Sequence, residues 1–107
     1  MPAAGNHVEL DRNDVVTHLV LNRPERRNAL SHEVMVEMLE ALDAVANDET
    51  TRVLVIEGRG PAFSAGHDLT EMDANRDGAF YEELFATCVR LMTLVHELPQ
   101  PVIAKVH

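Results

Sequence analysis

The fold of this chain is decided by residues 53–69, which read Val-Leu-Val-Ile-Glu-Gly-Arg-Gly-Pro-Ala-Phe-Ser-Ala-Gly-His-Asp-Leu. The unbroken apolar run Val53–Ile56 is typical of a parallel strand that is covered on both faces. Open α/β sheets bind their ligands beyond the carboxyl ends of the strands. The loop of small residues that follows this strand is therefore a candidate site.

The loop Ala62–Leu69 has the composition of a site built from backbone N–H groups. Ser64, Ala65 and Gly66 carry little or no side chain, so a ligand can approach the backbone closely. Gly66 can adopt a positive φ that turns an N–H outward, and such a donor stabilises an oxyanion at about 2.7–3.1 Å. The alternative is an ordinary strand-to-helix connection in which the glycine only makes the turn.

Length and composition exclude several classes of protein. The chain has 107 residues, enough for one small domain, and is 46% hydrophobic but only 4% aromatic, which predicts an aliphatic core. Its formal net charge of −9 argues against nucleic acid or an anionic membrane as a partner. No apolar segment approaches the length of a membrane span, and the first residues do not resemble a signal peptide.

The single cysteine, Cys88, excludes an internal disulfide. Its place on the apolar stripe of a predicted helix indicates a buried, reduced thiol. From this and from the missing signal peptide we expect a cytoplasmic protein. Residues 1–6 are predicted to be a flexible leader, and residues 7–107 to form the domain.

The residues before the central strand predict a hairpin and a helix. Val8–Leu10 and Val15–Leu21 have strand composition, and Asp11–Asp14 between them is turn-forming. His18 in the second strand is interpreted as a packed or edge histidine rather than a ligand. Ser31 is placed to cap a helix whose apolar residues recur at helical spacing as far as about Asn47.

The residues after the small-residue loop predict an irregular segment, a helix and a strand. Glu71–Gly78 is polar and is expected to be mobile, with Glu71 solvated. Asp77 is placed to cap a helix that runs to about His96, with an apolar stripe of Phe80, Leu84, Cys88, Leu91, Met92 and Val95. Val102–Val106 is predicted to be a further buried parallel strand.

Three of the nine basic residues, Arg23, Arg26 and Arg27, lie within five positions of an otherwise acidic chain. Clustered guanidinium groups favour a local anion site. A solvated turn is an equally good reading of the same residues.

Several motifs taken together resemble one known family. They are Asn22-Arg23-Pro24, Asn28-Ala29-Leu30-Ser31, the stretch Phe63–Leu69 and Pro-Val-Ile-Ala at 101–104. In this order and spacing they are similar to the enoyl-CoA hydratase/isomerase, or crotonase, superfamily. The resemblance implies an α/β fold of the crotonase-like (ClpP/crotonase) ββα-superhelix type. The chain would be its amino-terminal portion, with parallel β-α-β units.

The resemblance also implies roles for single residues. The backbone N–H of His67 would be one of two oxyanion donors for an acyl-CoA thioester, with no necessary part for the imidazole. It implies no separate cofactor, since coenzyme A is part of the substrate. The histidines themselves lack ligand-like spacing, so no metal site is predicted. The residues implied to contact coenzyme A are Arg26, Arg27, Ala29, Ala65, Gly66, Asp68 and Leu69.

The function implied by the resemblance is that of a lyase, an enoyl-CoA hydratase that adds water to a 2-enoyl-CoA through an enolate. The chain alone is expected to be inactive, because the second donor and the acid and base residues would lie beyond His107. The complete protein would form a homotrimer or hexamer.

Other functions remain open at this point. Histidine at position 67 resembles the methylmalonyl-CoA decarboxylase branch, and an isomerase of the same family is a further alternative. A non-catalytic fragment that binds coenzyme A or larger homologues is a third. An unrelated nucleotide binder is weaker, because Gly58 and Gly60 fall far short of a dinucleotide fingerprint.

Overall fold

The computed structural model describes residues 7–107, so the predicted leader lies outside the described residues. Four strands form one sheet in the order β1-β2-β3-β4. The first pair is antiparallel, and the two following pairs are parallel. The strands are β1 (Val8–Asn13), β2 (Val16–Leu21), β3 (Val53–Gly58) and β4 (Val102–Ala104).

Three helices accompany the sheet, and each begins after a side-chain cap. They are α1 (His32–Ala46), α2 (Leu69–Ala74) and α3 (Gly78–Glu97), and a 3₁₀ turn occupies Pro24–Arg26. The predicted caps of α1 and α3 are confirmed, because Ser31 accepts from the Val34 N–H and Asp77 from the Ala79 N–H. None of the helices in residues 7–107 combines the length and apolarity needed to cross a bilayer.

The core lies between one face of the sheet and the helices α1 and α3. Alternate residues of a strand share a face, and residues three or four apart share a face of a helix. The largest side chains buried in this way are Leu19, Met35, Leu42, Leu54, Leu84 and Leu91. Aliphatic side chains therefore fill the core, as the composition predicts.

The hairpin turn lies later than predicted. Strand β1 continues through Asn13, which pairs with Val16, so the turn consists of Asp14 and Val15. Asp14 has φ 59°, a left-handed conformation that aspartate tolerates better than most residues. The prediction of a turn over the whole of Asp11–Asp14 is wrong because the ladder to β2 holds the exposed polar residues Asp11–Asn13 extended.

Strands β3 and β4 are less covered than predicted. In β3, Leu54 and Ile56 are buried against the helices, but Val53 and Val55 are only partly covered. Strand β4 ends at Ala104, and its Ile103 is 54% exposed. The prediction of full burial is wrong because the core lies on one face of the sheet, so alternate residues of β3 are less covered, and because within residues 7–107 β4 is the edge strand.

The polar segment after the loop is a helix rather than an irregular stretch. Helix α2 forms because the Asp68 carboxylate accepts from the Glu71 N–H at 3.1 Å. Glu71 is not simply solvated, because its Oε1 accepts from the His32 N–H at 2.9 Å. The side chain thereby ties the start of α2 to the start of α1.

Two further predictions about single side chains need correction. Cys88 is only half-buried, and Met92 on the predicted apolar stripe is 52% exposed. His18 has a partner that no local spacing could reveal, since its Nδ1 lies 2.6 Å from Glu57 Oε2 on the neighbouring strand β3. His18 and Glu57 both face away from the main core.

Candidate active site

The loop after β3 folds back onto the segment that precedes α1. The Leu30 N–H donates to the Gly66 carbonyl at 2.7 Å, and the Asp68 N–H donates to the Leu30 carbonyl at 3.1 Å. These two bonds form an isolated parallel bridge between Leu30 and His67. In a parallel bridge the middle residue turns its own N–H away from the partner, so the His67 N–H faces away from Leu30.

The N–H groups around His67 are all occupied. Ala65 donates to the Arg27 carbonyl at 2.9 Å, and Gly66 donates to Ser64 Oγ at 3.1 Å. The Asp68 N–H is held by the bridge described above. Across residues 65–68 the His67 N–H is thus the one backbone donor for which residues 7–107 offer no acceptor.

Gly66 has φ 85°, as the prediction of a positive φ required. A Cβ built at this position would meet nothing within 4 Å. Glycine is therefore needed here for its backbone conformation and not for lack of room. The backbone beside the free N–H is also open to a ligand.

The loop is held in shape by Asn28, a residue to which sequence reasoning gave no role. Asn28 is 1% exposed, and its Nδ2 donates to the carbonyls of Arg59 and Ala62, both at 2.9 Å, with Phe63 O at 3.2 Å. Its Oδ1 accepts from the Arg23 N–H at 2.8 Å. The available signal was the residue type, since asparagine tolerates the left-handed φ of 54° found here.

The same packing explains the glycine that ends β3. A Cβ on Gly58 would lie 2.4 Å from the Phe63 carbonyl oxygen and 2.7 Å from Asn28 Nδ2. Both contacts are closer than real Cβ atoms approach. The loop can therefore lie flat against the strand end only because position 58 has no side chain.

The predicted anion site is partly neutralised by Asp68. This carboxylate is 6% exposed and lies 3.5 Å from Arg23 Nη1 and 3.7 Å from Arg26 Nη2. The side chain of Arg26 is still 42% exposed. Arg27 is exposed, and no ion pair of residues 7–107 includes it. The guanidinium groups left for an anion are those of Arg26 and Arg27.

The structure brings most of the predicted site residues to one place but not all to the surface. The bridge joins the segment 27–30 to the segment 65–68, and Ala65 and Leu69 are exposed at its rim. Ala29 is 8% exposed, so its side chain is not available to a ligand at the surface. The Asp68 carboxylate is occupied by the cap of α2 and the two arginines.

The His67 imidazole packs against α3. Its ring meets Phe85 edge-on with a centroid separation of 5.9 Å, and its Nε2 lies 3.8 Å from Cys88 Sγ. The Nδ1 atom is buried, and no group of residues 7–107 bonds it. The side chain therefore anchors the loop to a helix, while the free donor belongs to the backbone.

Comparison with known proteins gives a consistent result. The family model described as enoyl-CoA hydratase/isomerase matches residues 11–107. Enoyl-CoA hydratase domain-containing protein 3, mitochondrial, from Xenopus laevis is 39% identical over 92 residues, covering 86% of this chain and 31% of the relative. Delta(3,5)-Delta(2,4)-dienoyl-CoA isomerase, mitochondrial, from Mus musculus is 32% identical over 102 residues, covering 86% and 31%.

A solved structure shows the same fold. The enoyl-CoA hydratase from Mycobacterium smegmatis superposes with a TM-score of 0.92 at 43% identity, covering 96% of this chain and 40% of that one. The predicted crotonase-like α/β fold is thereby confirmed. The chain spans about a third of the length of these curated relatives and 40% of this solved chain.

The prediction of a cytoplasmic protein is wrong. The Xenopus and mouse relatives are both named as mitochondrial. A reduced cysteine could not separate these locations, because it excludes only an oxidising compartment.

Proposed function

Because the chain belongs to the enoyl-CoA hydratase/isomerase family, we propose that it supplies acyl-CoA binding and one oxyanion donor to an enoyl-CoA hydratase-type enzyme. The reaction is the addition of water to a 2-enoyl-CoA. The observation that carries the proposal is the His67 N–H, which the bridge turns away from Leu30 and to which residues 7–107 offer no acceptor.

The chemistry follows from the direction of this N–H. A hydrogen bond to the thioester carbonyl polarises it, and the bond strengthens as the oxygen gains negative charge in the enolate. The donor needs no reorganisation, because the two bonds of Leu30 already fix the backbone on either side of it. Removal of one such donor in acyl-transfer enzymes costs about 3–4 kcal/mol of transition-state stabilisation.

The charged end of coenzyme A is proposed to lie at Arg26 and Arg27. Both side chains are exposed, and the Arg27 carbonyl accepts from the Ala65 N–H, so these arginines are joined to the loop that carries the donor. Guanidinium groups bind phosphate oxygens through charge-assisted hydrogen bonds. One molecule would thus contact the arginines with its phosphates and the loop with its thioester.

The first experiment is a titration of the ¹⁵N-labelled chain with crotonyl-CoA. We expect the His67 amide resonance to shift more than that of Asp68, whose N–H is already bonded to Leu30. Free coenzyme A should shift the Arg26 and Arg27 amides but leave His67 nearly unchanged. Equal shifts of His67 with both ligands would contradict a role for its N–H at the thioester.

The second experiment separates the phosphate contacts from general charge. Combined Arg26→Ala and Arg27→Ala substitution should weaken crotonyl-CoA binding by about tenfold, or about 1.4 kcal/mol. Combined Arg76→Ala and Arg90→Ala substitution is the matched control, because it also removes two positive charges and both arginines are exposed and lie outside the loop. An equal loss in the control would mean that net charge alone governs the binding.

An isomerase is the second candidate, favoured by the dienoyl-CoA isomerase relative from mouse. Both reactions use the same oxyanion donor, and they differ in the groups that move protons. Assays with crotonyl-CoA and with a 3,5-dienoyl-CoA should both match the blank for the 107-residue chain. A rate well above the blank with either substrate would show that residues 1–107 contain the acid and base groups.

A further inference from the structure

Three potential metal ligands converge where β1 begins beside α1. One ring nitrogen of His7 and one carboxylate oxygen from each of Glu33 and Glu37 lie within 4.8 Å of one another. The two glutamates are one turn apart on α1 and so share a face of the helix. The cluster lies outside the segments 27–30 and 65–68 that build the proposed acyl-CoA site.

Glu37 is an unusual residue for its position. It is 8% exposed and lies among the buried residues of α1, next to Met38. A carboxylate in such surroundings is costly unless it is paired or coordinates a metal. Its Oε1 accepts from the His7 backbone N–H at 2.8 Å, and no cationic side chain of residues 7–107 pairs with it.

The charge of the cluster is also unbalanced. Glu33 lies beside Glu37, and like charges one helical turn apart repel each other. The ion pairs found within residues 7–107 include none of the three side chains. Two carboxylates thus lie beside one imidazole, with their ligand atoms within 4.8 Å of one another.

We propose that His7, Glu33 and Glu37 bind a divalent transition-metal ion of the zinc class. One doubly charged ion cancels the charge of both carboxylates. Imidazole nitrogen and carboxylate oxygen are ordinary zinc ligands at about 2.0–2.2 Å, which a small rotation of the side chains brings within reach. Calcium and magnesium fit less well, because they prefer oxygen ligands alone.

The ion would join the first residue before β1 to the first two turns of α1. Its role there is structural: it replaces a repulsive contact by a cross-link between the start of the sheet and helix α1. Sequence reasoning predicted no metal, because 30 residues separate His7 from Glu37 and the spacing matches no metal motif.

The test is calorimetric titration of the full chain with Zn²⁺. We expect one ion per chain, and each of His7→Gln, Glu33→Gln and Glu37→Gln should weaken binding at least tenfold. Glutamine at position 37 keeps the acceptor for the His7 N–H and thus the local fold. His18→Gln and Glu40→Gln are the matched controls, and neither should change the affinity.

A second readout follows the histidine directly. Zn²⁺ should shift the imidazole resonances of His7, identified by their loss in His7→Gln, and leave those of His18 in place. Affinity that is unchanged in His7→Gln and Glu33→Gln, or no binding at millimolar Zn²⁺, would overturn the proposal.

Discussion

The direction of the free His67 N–H depends first on Gly66. We expect Gly66→Ala to lower the free energy of unfolding by about 1–2 kcal/mol, because a side chain at φ 85° is strained even without a clash. Crotonyl-CoA binding should weaken as the loop relaxes. Urea denaturation and the ligand titration measure the two effects.

Gly78→Ala is the control for this substitution. Gly78 also has open space around its Cβ position, but it begins α3 and has no positive φ. Alanine is a good helix former, so the stability should stay within about 0.5 kcal/mol or rise slightly. Equal losses at positions 66 and 78 would contradict the account of the loop.

Asn28 is the second residue on which the loop depends. Asn28→Ala removes bonds to three carbonyls and to the Arg23 N–H, and leaves buried groups unpaired. We expect the free energy of unfolding to fall by about 3 kcal/mol. Asn47→Ala removes one exposed bond to the Asp43 carbonyl and should cost less than about 0.5 kcal/mol. A similar cost for both would mean that Asn28 does not organise the loop.

Single residues were predictable from sequence where the reason is local. The φ of Gly66 and the caps Ser31 and Asp77 depend on neighbours a few positions away. Asn28 depends on carbonyls 31 to 35 positions away, and Glu71 on an N–H 39 positions away. Which distant polar atoms meet is decided by the folded backbone, so no local pattern could reveal these bonds.

Among the elements, the connection from α1 to β3 is held by a chain of hydroxyl groups. Thr51 Oγ1 donates to Asp48 Oδ2 at 2.7 Å and lies 2.6 Å from Thr17 Oγ1. Because the only hydroxyl proton of Thr51 goes to the carboxylate, Thr17 donates to Thr51. The pKa of Asp48 is held below its ordinary value mainly by the hydrogen bond from the Thr51 hydroxyl and, to a smaller extent, by the bond from the Thr50 N–H.

This connection gives a prediction about pH. Thr51→Val should raise the Asp48 pKa toward its ordinary value, as measured by NMR titration of the carboxyl carbon. A lowered pKa stabilises the fold above the unfolded-state pKa, and that stability is lost as the pH falls through the folded-state pKa. The variant should therefore lose less stability in acid than the natural chain, by a small amount because solvent screens the group.

Thr50→Val is the matched control for the pH experiment. It keeps the backbone N–H that donates to Asp48 Oδ1 at 3.1 Å and changes only a side chain without a bond to the carboxylate. The Asp48 pKa should stay where it is in this variant. A rise of the same size in both variants would contradict the role of the Thr51 hydroxyl.

The elements were predictable where they are apolar and not where they are polar. The periodic residues of α1 and α3 gave both helices with nearly correct ends. The polar end of β1 was not predicted, because it is held extended by its ladder to β2. The polar helix α2 was not predicted either, because it depends on the cap that Asp68 supplies. Burial of β3 and β4 depends on neighbouring elements, which an apolar run does not identify.

For the molecule as a whole, one helix face is left uncovered. Phe85, Val89 and Met92 lie on α3 at helical spacing and are 46%, 64% and 52% exposed. The outer edge of β4 is unpaired in the same 101 residues, 7–107. Exposed apolar faces and open strand edges favour association, so we expect self-association that increases with concentration.

Light scattering during gel filtration measures this association. Combined Val89→Lys and Met92→Lys substitution should shift the chain toward the monomer, because each adds a charge to the apolar face. Thr93→Lys, at an exposed polar position of the same helix, should change the association little. A chain that stays monomeric at high concentration would mean that the apolar face and the β4 edge do not drive association.

The overall fold was predictable mainly through the resemblance. The apolar runs alone indicate a parallel sheet with helices, and the paired motifs add the family, which the superposition with a TM-score of 0.92 supports. The compartment was not predictable, because the −9 charge and the single cysteine suit more than one reducing environment. Local sequence patterns therefore do not identify the compartment of this protein.

The bridge between Leu30 and His67 also bears on how such a scaffold diverges in evolution. The direction of the proposed donor is set by backbone bonds on either side of position 67, and no atom of the imidazole takes part in these bonds. Any residue except proline supplies the same N–H there. Mutation can thus alter the side chain at position 67 without loss of the proposed donor, so the surroundings of the site can change while the backbone N–H is kept.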